Sequence, residues 1–151
     1  MLFRSGSTLG TALAGAAGRA NAACQPPGLA AQEKAENPRS TGFLLELGKF
    51  RFLDVGDLSG PPLFTLGCPS DRIGPVDAYL VAHHGGVDAA DPSLVAALAP
   101  RIAVVNNGTT KGGAPDTLSM LRAFPSTDTW QLHRSELPGA TNVDEIGRAH
   151  V

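Results

Sequence analysis

Two apolar runs, Phe43–Leu47 and Phe50–Val55, flank a Gly48-Lys49 pair. Runs of that length separated by two turn-forming residues predict a buried β-hairpin, with strands over about 42–47 and 50–55. A third run, Val76–Ala82, predicts another strand. Beyond it, Asp91 followed by Pro92 has the form of an N-cap with proline at the first helical position, so a helix is expected to about Leu98, with Pro100 as its stop. Ile102–Val105 reads as a short buried strand ending in a turn at Asn106-Asn107-Gly108. Ala114-Pro115 opens a second helix to about Phe124, and Thr127–His133 is the last strand. Between the hairpin and the third run, SGPPLFTLGCPSDRIGP holds one apolar patch, Leu63–Leu66, compatible with a helical turn under the sheet. Residues 6–40 show no firm period and read mostly as loop. The order strand-strand, strand-helix, strand-helix, strand is that of α/β layers, with helices packed on a sheet. It resembles part of a larger sheet whose remaining strands are absent.

The predicted strands place polar residues at their ends. The second ends in Gly56-Asp57 and the third in His83-His84-Gly85-Gly86, so an acid and a histidine pair each follow the C-terminal end of a strand, where side chains can converge on one mouth. Asp57 is compatible with a metal ligand and with an Asx-turn acid. Asp54, three residues earlier, suits orientation of the loop or a salt bridge. Neutral imidazole is a common metal ligand, but adjacent residues leaving a strand point in opposite directions. One of His83 and His84 is therefore expected to bind and the other to support it or to meet substrate; a pair of loop-capping histidines is the structural alternative. Asn106, Asn107 and Lys111 form a polar, Gly-rich loop, and His133 ends the last strand. Asn107, Lys111 and His133 are the candidates for holding an anionic substrate group; an ordinary turn and a sheet-end hydrogen bond are the plainer roles. Trp130 and Met120 read as core residues. No P-loop, GxGxxG or Ser-His-Asp order is present.

Composition narrows the classes. At 151 residues with 42% hydrophobic and 17% charged positions, the chain can bury one domain-sized core. A net charge of −2 gives no basic footprint for nucleic acid, and no apolar run reaches the length of a membrane span. With 18 glycines and 12 prolines, tight turns should be frequent. The two cysteines, Cys24 and Cys68, fit none of the CxxC spacings of a zinc site.

Both ends look foreign. Glu145-Ile-Gly-Arg-Ala-His-Val151 is the translation of a common sequencing-library adapter, and Met1-Leu-Phe-Arg-Ser5 that of its reverse complement. Residues 1–5 and 145–151 are accordingly expected to be adapter-derived, and the authentic protein to span about Gly6–Asp144 as a piece of a longer one, with a loop-rich lead-in (6–40), a main unit (41–135) and a tail (136–144). Arg4, LGTALAGAAG and Ala20-Asn21-Ala22 imitate a signal peptide. The stretch is Leu-poor and interrupted by Gly, which favours a Gly/Ala-rich loop or weak helix.

Taken in order, ENPRSTGFLLELGKFRFLDVGDL, VDAYLVAHHGG, PRIAVVNNGTTKGGAP and WQLH resemble the metallo-β-lactamase fold, in its branch related to the ComEC-type competence-protein hydrolase domain. The matching positions are Asn37, Ser40, Asp57 and His83-His84-Gly85, and the resemblance covers roughly residues 19–135. It implies roughly the second half of an αβ/βα sandwich hydrolase with a dinuclear metal site, usually zinc, acting on an ester, a phosphodiester or another small-molecule substrate. Asp57 would be the bridging ligand, with His83 favoured as a further ligand and His84 next. The family's HxHxDH motif has no counterpart here, and Ala114-Pro115 stands where many relatives carry His-Pro. The metal site is thus expected to be incomplete in this chain, and a non-catalytic binding or structural module is the alternative. Cys24 and Cys68 lie where relatives also carry cysteine, which implies a disulfide and an exported protein; two free thiols is the alternative.

Overall fold

A computed structural model describes residues 2–4, 18–25 and 36–144. The adapter-like ending and most of the apolar stretch before Gly18 lie outside the described residues. The chain folds into a mixed α/β layer, as the element order predicts. Its main sheet contains β1 (Leu2–Arg4), β3 (Thr41–Leu47), β4 (Phe50–Asp54), β6 (Ala78–Leu80), β7 (Ile102–Val105) and β8 (Asp128–Gln131) in the spatial order β1-β3-β4-β6-β7-β8. A second, two-stranded sheet pairs β2 (Arg19–Ala20) with β5 (Ser70–Asp71). The three α-helices are α1 (Gly60–Gly67), α2 (Pro92–Leu98) and α3 (Pro115–Arg122).

The hairpin forms as expected: β3 and β4 pair antiparallel from Phe43↔Asp54 to Leu47↔Phe50, around Gly48-Lys49. From β4 onward the sheet is parallel, through β6 and β7 to β8. The Asp91 cap is also present. Its side chain accepts from the Leu94 N–H at 3.0 Å, and Pro92 opens α2. Asp91 is buried, which pushes its carboxyl above the ordinary range against the pull of the Leu94 and Ser93 amides. The patch at Leu63–Leu66 belongs to a full helix, α1, started by Pro61-Pro62.

All three helices cover one face of the sheet. Leu44, Leu53, Val55, Tyr79, Ala103 and Val105 from the sheet side form one core with Leu63, Leu66, Leu94, Val95, Leu98, Leu118 and Leu121 from the helices. Tyr79 is buried in it with its hydroxyl accepting from the Ala82 N–H, and burial raises its pKa above the ordinary phenol value.

The opposite face is apolar and open. By strand register it carries Phe43, Leu45, Leu47, Phe50, Phe52, Ala78, Leu80, Ile102, Val104 and Trp130. Leu47 is 75% exposed, Leu45 49% and Phe50 45%. Three expectations are corrected here. Trp130 is not a core residue: it sits on this face, with its indole N–H donating to Asp128. The hairpin and β7 are buried on one face only. The strand over Val76–Ala82 is shorter than its apolar run: β6 covers Ala78–Leu80, Val81 is still extended with its N–H donating to the Val104 carbonyl, and the chain turns from Ala82.

Cys24 and Cys68 are joined by a disulfide closing 44 residues. It fixes the segment around Asn21, whose amide also donates to the carbonyls of Gly67 and Ser93. Reduction of a loop this long should cost roughly 2–4 kcal/mol. Intact protein should therefore show no alkylatable thiol before reduction and a melting temperature roughly 10 °C lower after it. The open apolar face predicts concentration-dependent self-association and dye binding. Leu45→Thr with Leu47→Lys should suppress both in sedimentation and fluorescence assays while leaving the melting temperature nearly unchanged.

Candidate functional site

Parallel strands bring their C-terminal ends to one rim. Gly56-Asp57 follows β4, Ala82-His83-His84 follows β6, Asn106-Asn107 follows β7 and Leu132-His133 follows β8. Because β3 runs antiparallel to β4, the segment entering it, with a 3-10 turn at Asn37–Arg39, reaches the same rim. All the sequence-derived candidates therefore share one edge of the sheet.

The two histidines do not leave β6 as an extended strand. Both adopt left-handed backbone conformations, φ 47° at His83 and φ 56° at His84. Such conformations are sparsely populated for residues with a side chain and cost roughly 1 kcal/mol or more each. They persist because the backbone is held on both sides. The His83 N–H donates to the Gly56 carbonyl at 2.9 Å. On the other side, the carbonyls of His84, Gly85 and Gly86 accept in turn from the Gly113 N–H (2.9 Å), the Ala114 N–H (2.8 Å) and the Thr117 hydroxyl (2.7 Å). This approach requires glycine. A Cβ on Gly112, at φ 73°, would lie 2.1 Å from the His84 carbonyl oxygen.

The left-handed turn changes the expected division between the histidines, because the side chains no longer alternate as on a strand. The resemblance favours His83 as a metal ligand with His84 next; the ring that stands beside Asp57 is that of His84. His84 Nε2 lies 3.4 Å from Asp57 Oδ1, with the two side chains 30% and 42% exposed. Its Nδ1 is 2.9 Å from the Asn106 carbonyl oxygen. A carbonyl only accepts, so Nδ1 carries the proton and Nε2 of the neutral ring offers a lone pair. With a neutral ring two acceptors face each other across the 3.4 Å gap, where a cation would bridge them; with a protonated ring the two groups form an ion pair. Two donors about 2.0–2.1 Å from a tetrahedral ion lie about 3.3–3.4 Å apart, so the pair fits two corners of such a site. The backbone carbonyl on Nδ1 is also a usual second partner of a metal-binding imidazole. Among the described residues, no group of three or more His, Cys, Asp or Glu side chains could hold a metal ion.

His83 is engaged elsewhere. Its Nδ1 lies 2.7 Å from Asp88 Oδ1, and its Nε2 lies 3.2 Å from the Asn37 amide nitrogen. Asp88 is buried in the 3-10 turn Val87–Ala89. Sequence reasoning missed it; the only signal was its nearness to the histidines. Asp54 orients the loop, its carboxylate accepting from the Gly56 N–H at 2.8 Å. Asn107 is buried, and its amide donates to the carbonyls of Gly108 and His133, which is the turn-forming role. The Lys111 and His133 side chains are exposed at this rim. The Gly-rich loop serves the site through its backbone, by gripping His84. The groove of about 450 Å³ lined by Phe50, Asp77, Arg101, Ile102, Ser126 and Asp128 lies at the opposite ends of these strands and contains none of these groups.

Gly112→Ala should force the 106–113 loop off His84. We expect a loss of roughly 2–3 kcal/mol in chemical denaturation and movement of the His84 ring resonances in NMR spectra. No family model, curated protein or solved structure matches this chain.

Proposed function

We propose that this domain is the second half of a metal-assisted hydrolase of the metallo-β-lactamase type, acting on an ester or phosphodiester. The observation that carries this reading is the 3.4 Å approach of Asp57 Oδ1 and His84 Nε2, with the His84 proton committed to Asn106. Two further features support it. The strained, doubly anchored histidine turn is the kind of backbone that accumulates at functional sites. The open apolar sheet face, opposite the helices, matches what one half of a two-layer sandwich exposes.

In this reading Asp57 and His84 would contribute to holding a divalent metal, usually zinc, at the strand rim. When bound, such ions lower the pKa of a coordinated water to about 7 and supply a hydroxide nucleophile. This chain's residues orient and exclude. Asn106 fixes the His84 tautomer, Asp54 shapes the turn that presents Asp57, and Gly112-Gly113 let the loop close over the His84 backbone. The remaining metal ligands would come from the HxHxDH motif of an intact protein. A second reading is favoured by the absence of a three-donor group among the described residues: a domain that keeps the fold as a binding or structural module without turnover.

Cobalt titration followed by absorption spectroscopy tests the pair in this chain. Wild type should bind weakly, and Asp57→Ala and His84→Ala should each weaken binding by at least about tenfold. In an intact protein containing the absent motif, Asp57→Ala should abolish metal-dependent hydrolysis; unchanged turnover would reject the hydrolase role of this carboxylate.

A further inference from the structure

The two histidines are adjacent in sequence but have different partners, and their partners differ in kind. His84 Nδ1 meets a neutral backbone carbonyl, whereas His83 Nδ1 meets a carboxylate at 2.7 Å. Asp88 is 6% exposed, and His83 is the only ion-pair or hydrogen-bond partner of its side chain among the described residues. Burying a carboxylate is costly unless a partner compensates. A buried acid with a single imidazole partner, on a turn held by the Ala89 N–H to the Gly86 carbonyl, is placed to act on that imidazole.

We propose that Asp88 is a positioning residue for His83, and that it separates the roles of the two histidines. Asp88 holds the His83 proton at Nδ1 and turns the ring so that its Nε2 lone pair faces the rim beside Asn37. The Asn37 amide donates to that lone pair at 3.2 Å. Both ring nitrogens of His83 are then occupied, Nδ1 by Asp88 and Nε2 by Asn37, so the ring is locked between a buried acid and the segment that leads into β3. Under the metal-assisted reading, His84 and Asp57 would be the residues that hold a cation. The assignment of roles rests on the metal-assisted reading above; the positioning of His83 by Asp88 does not.

Histidine-ring NMR of the full chain without metal, together with cobalt titration, tests both parts. We expect wild-type His83 in the Nδ1–H tautomer, with a downfield Nδ1 proton characteristic of a bond to carboxylate. Asp88→Ala should remove that resonance and release the tautomer, and Asp88→Glu should restore part of it. The same Asp88→Ala protein should bind cobalt within about threefold of wild type, whereas loss of a ligand's orienting partner would weaken it about 10–100-fold. An Nε2–H tautomer at His83 in wild type overturns the positioning role without needing any variant to fold. A 10–100-fold loss of cobalt affinity in Asp88→Ala overturns the separation of roles and makes His83 a ligand. No cobalt binding by wild type overturns the metal-assisted reading and the roles that rest on it, and leaves the tautomer to decide Asp88.

Discussion

Three consecutive carbonyls, those of His84, Gly85 and Gly86, are each taken by a donor from the loop and first turn of α3. The rest of the site depends on this clamp. Without it, nothing would hold two successive residues with side chains in the left-handed region, and the histidines would relax toward the extended path of β6. With the clamp, the turn is anchored to α3 on one side and to Gly56 on the other, which fixes the backbone from which both rings project. Sites of this kind need positioning to within about 0.5 Å, which rigid elements supply better than free loops do.

The second constraint is the one-sided core. Leucine and valine from the helices and strands fill the space on the helical face, and the parallel strands keep their C-terminal ends level at one rim. Parallel sheets are normally covered on both faces because their strands are apolar on both. Here the second face carries Phe43 edge-to-face against Phe52, 5.9 Å apart, with leucines and an isoleucine around them. These side chains leave the second face of the sheet apolar and uncovered among the described residues.

The chemistry divides along the same lines. A carboxylate, a carbonyl and an amide each take one nitrogen of the adjacent imidazoles, so tautomer and orientation are set independently for each ring. Identical side chains can then do different work, one facing Asp57 and the other facing Asn37.

Local signals were enough for the elements. The Gly48-Lys49 hairpin, the Asp91-Pro92 start of α2 and the Ile102–Val105 strand all depend on turn chemistry and capping within a few residues, and each stands where the sequence places it. The shared rim was also legible, since strand ends in a parallel layer converge by topology. What the sequence left open was decided by contacts between segments distant in the chain. Which histidine faces Asp57 depends on the grip of Gly113 on His84, and that Gly112 must lack a Cβ shows only when the two loops meet. Trp130 looked like core because apolarity alone does not say which face of a strand is covered. Asp88 was invisible because a buried acid differs from a solvated one only through its surroundings. Periodicity and capping act within one or two turns of chain, so they determined the elements; orientation and burial are properties of the assembled layers, so the tertiary structure alone decided them.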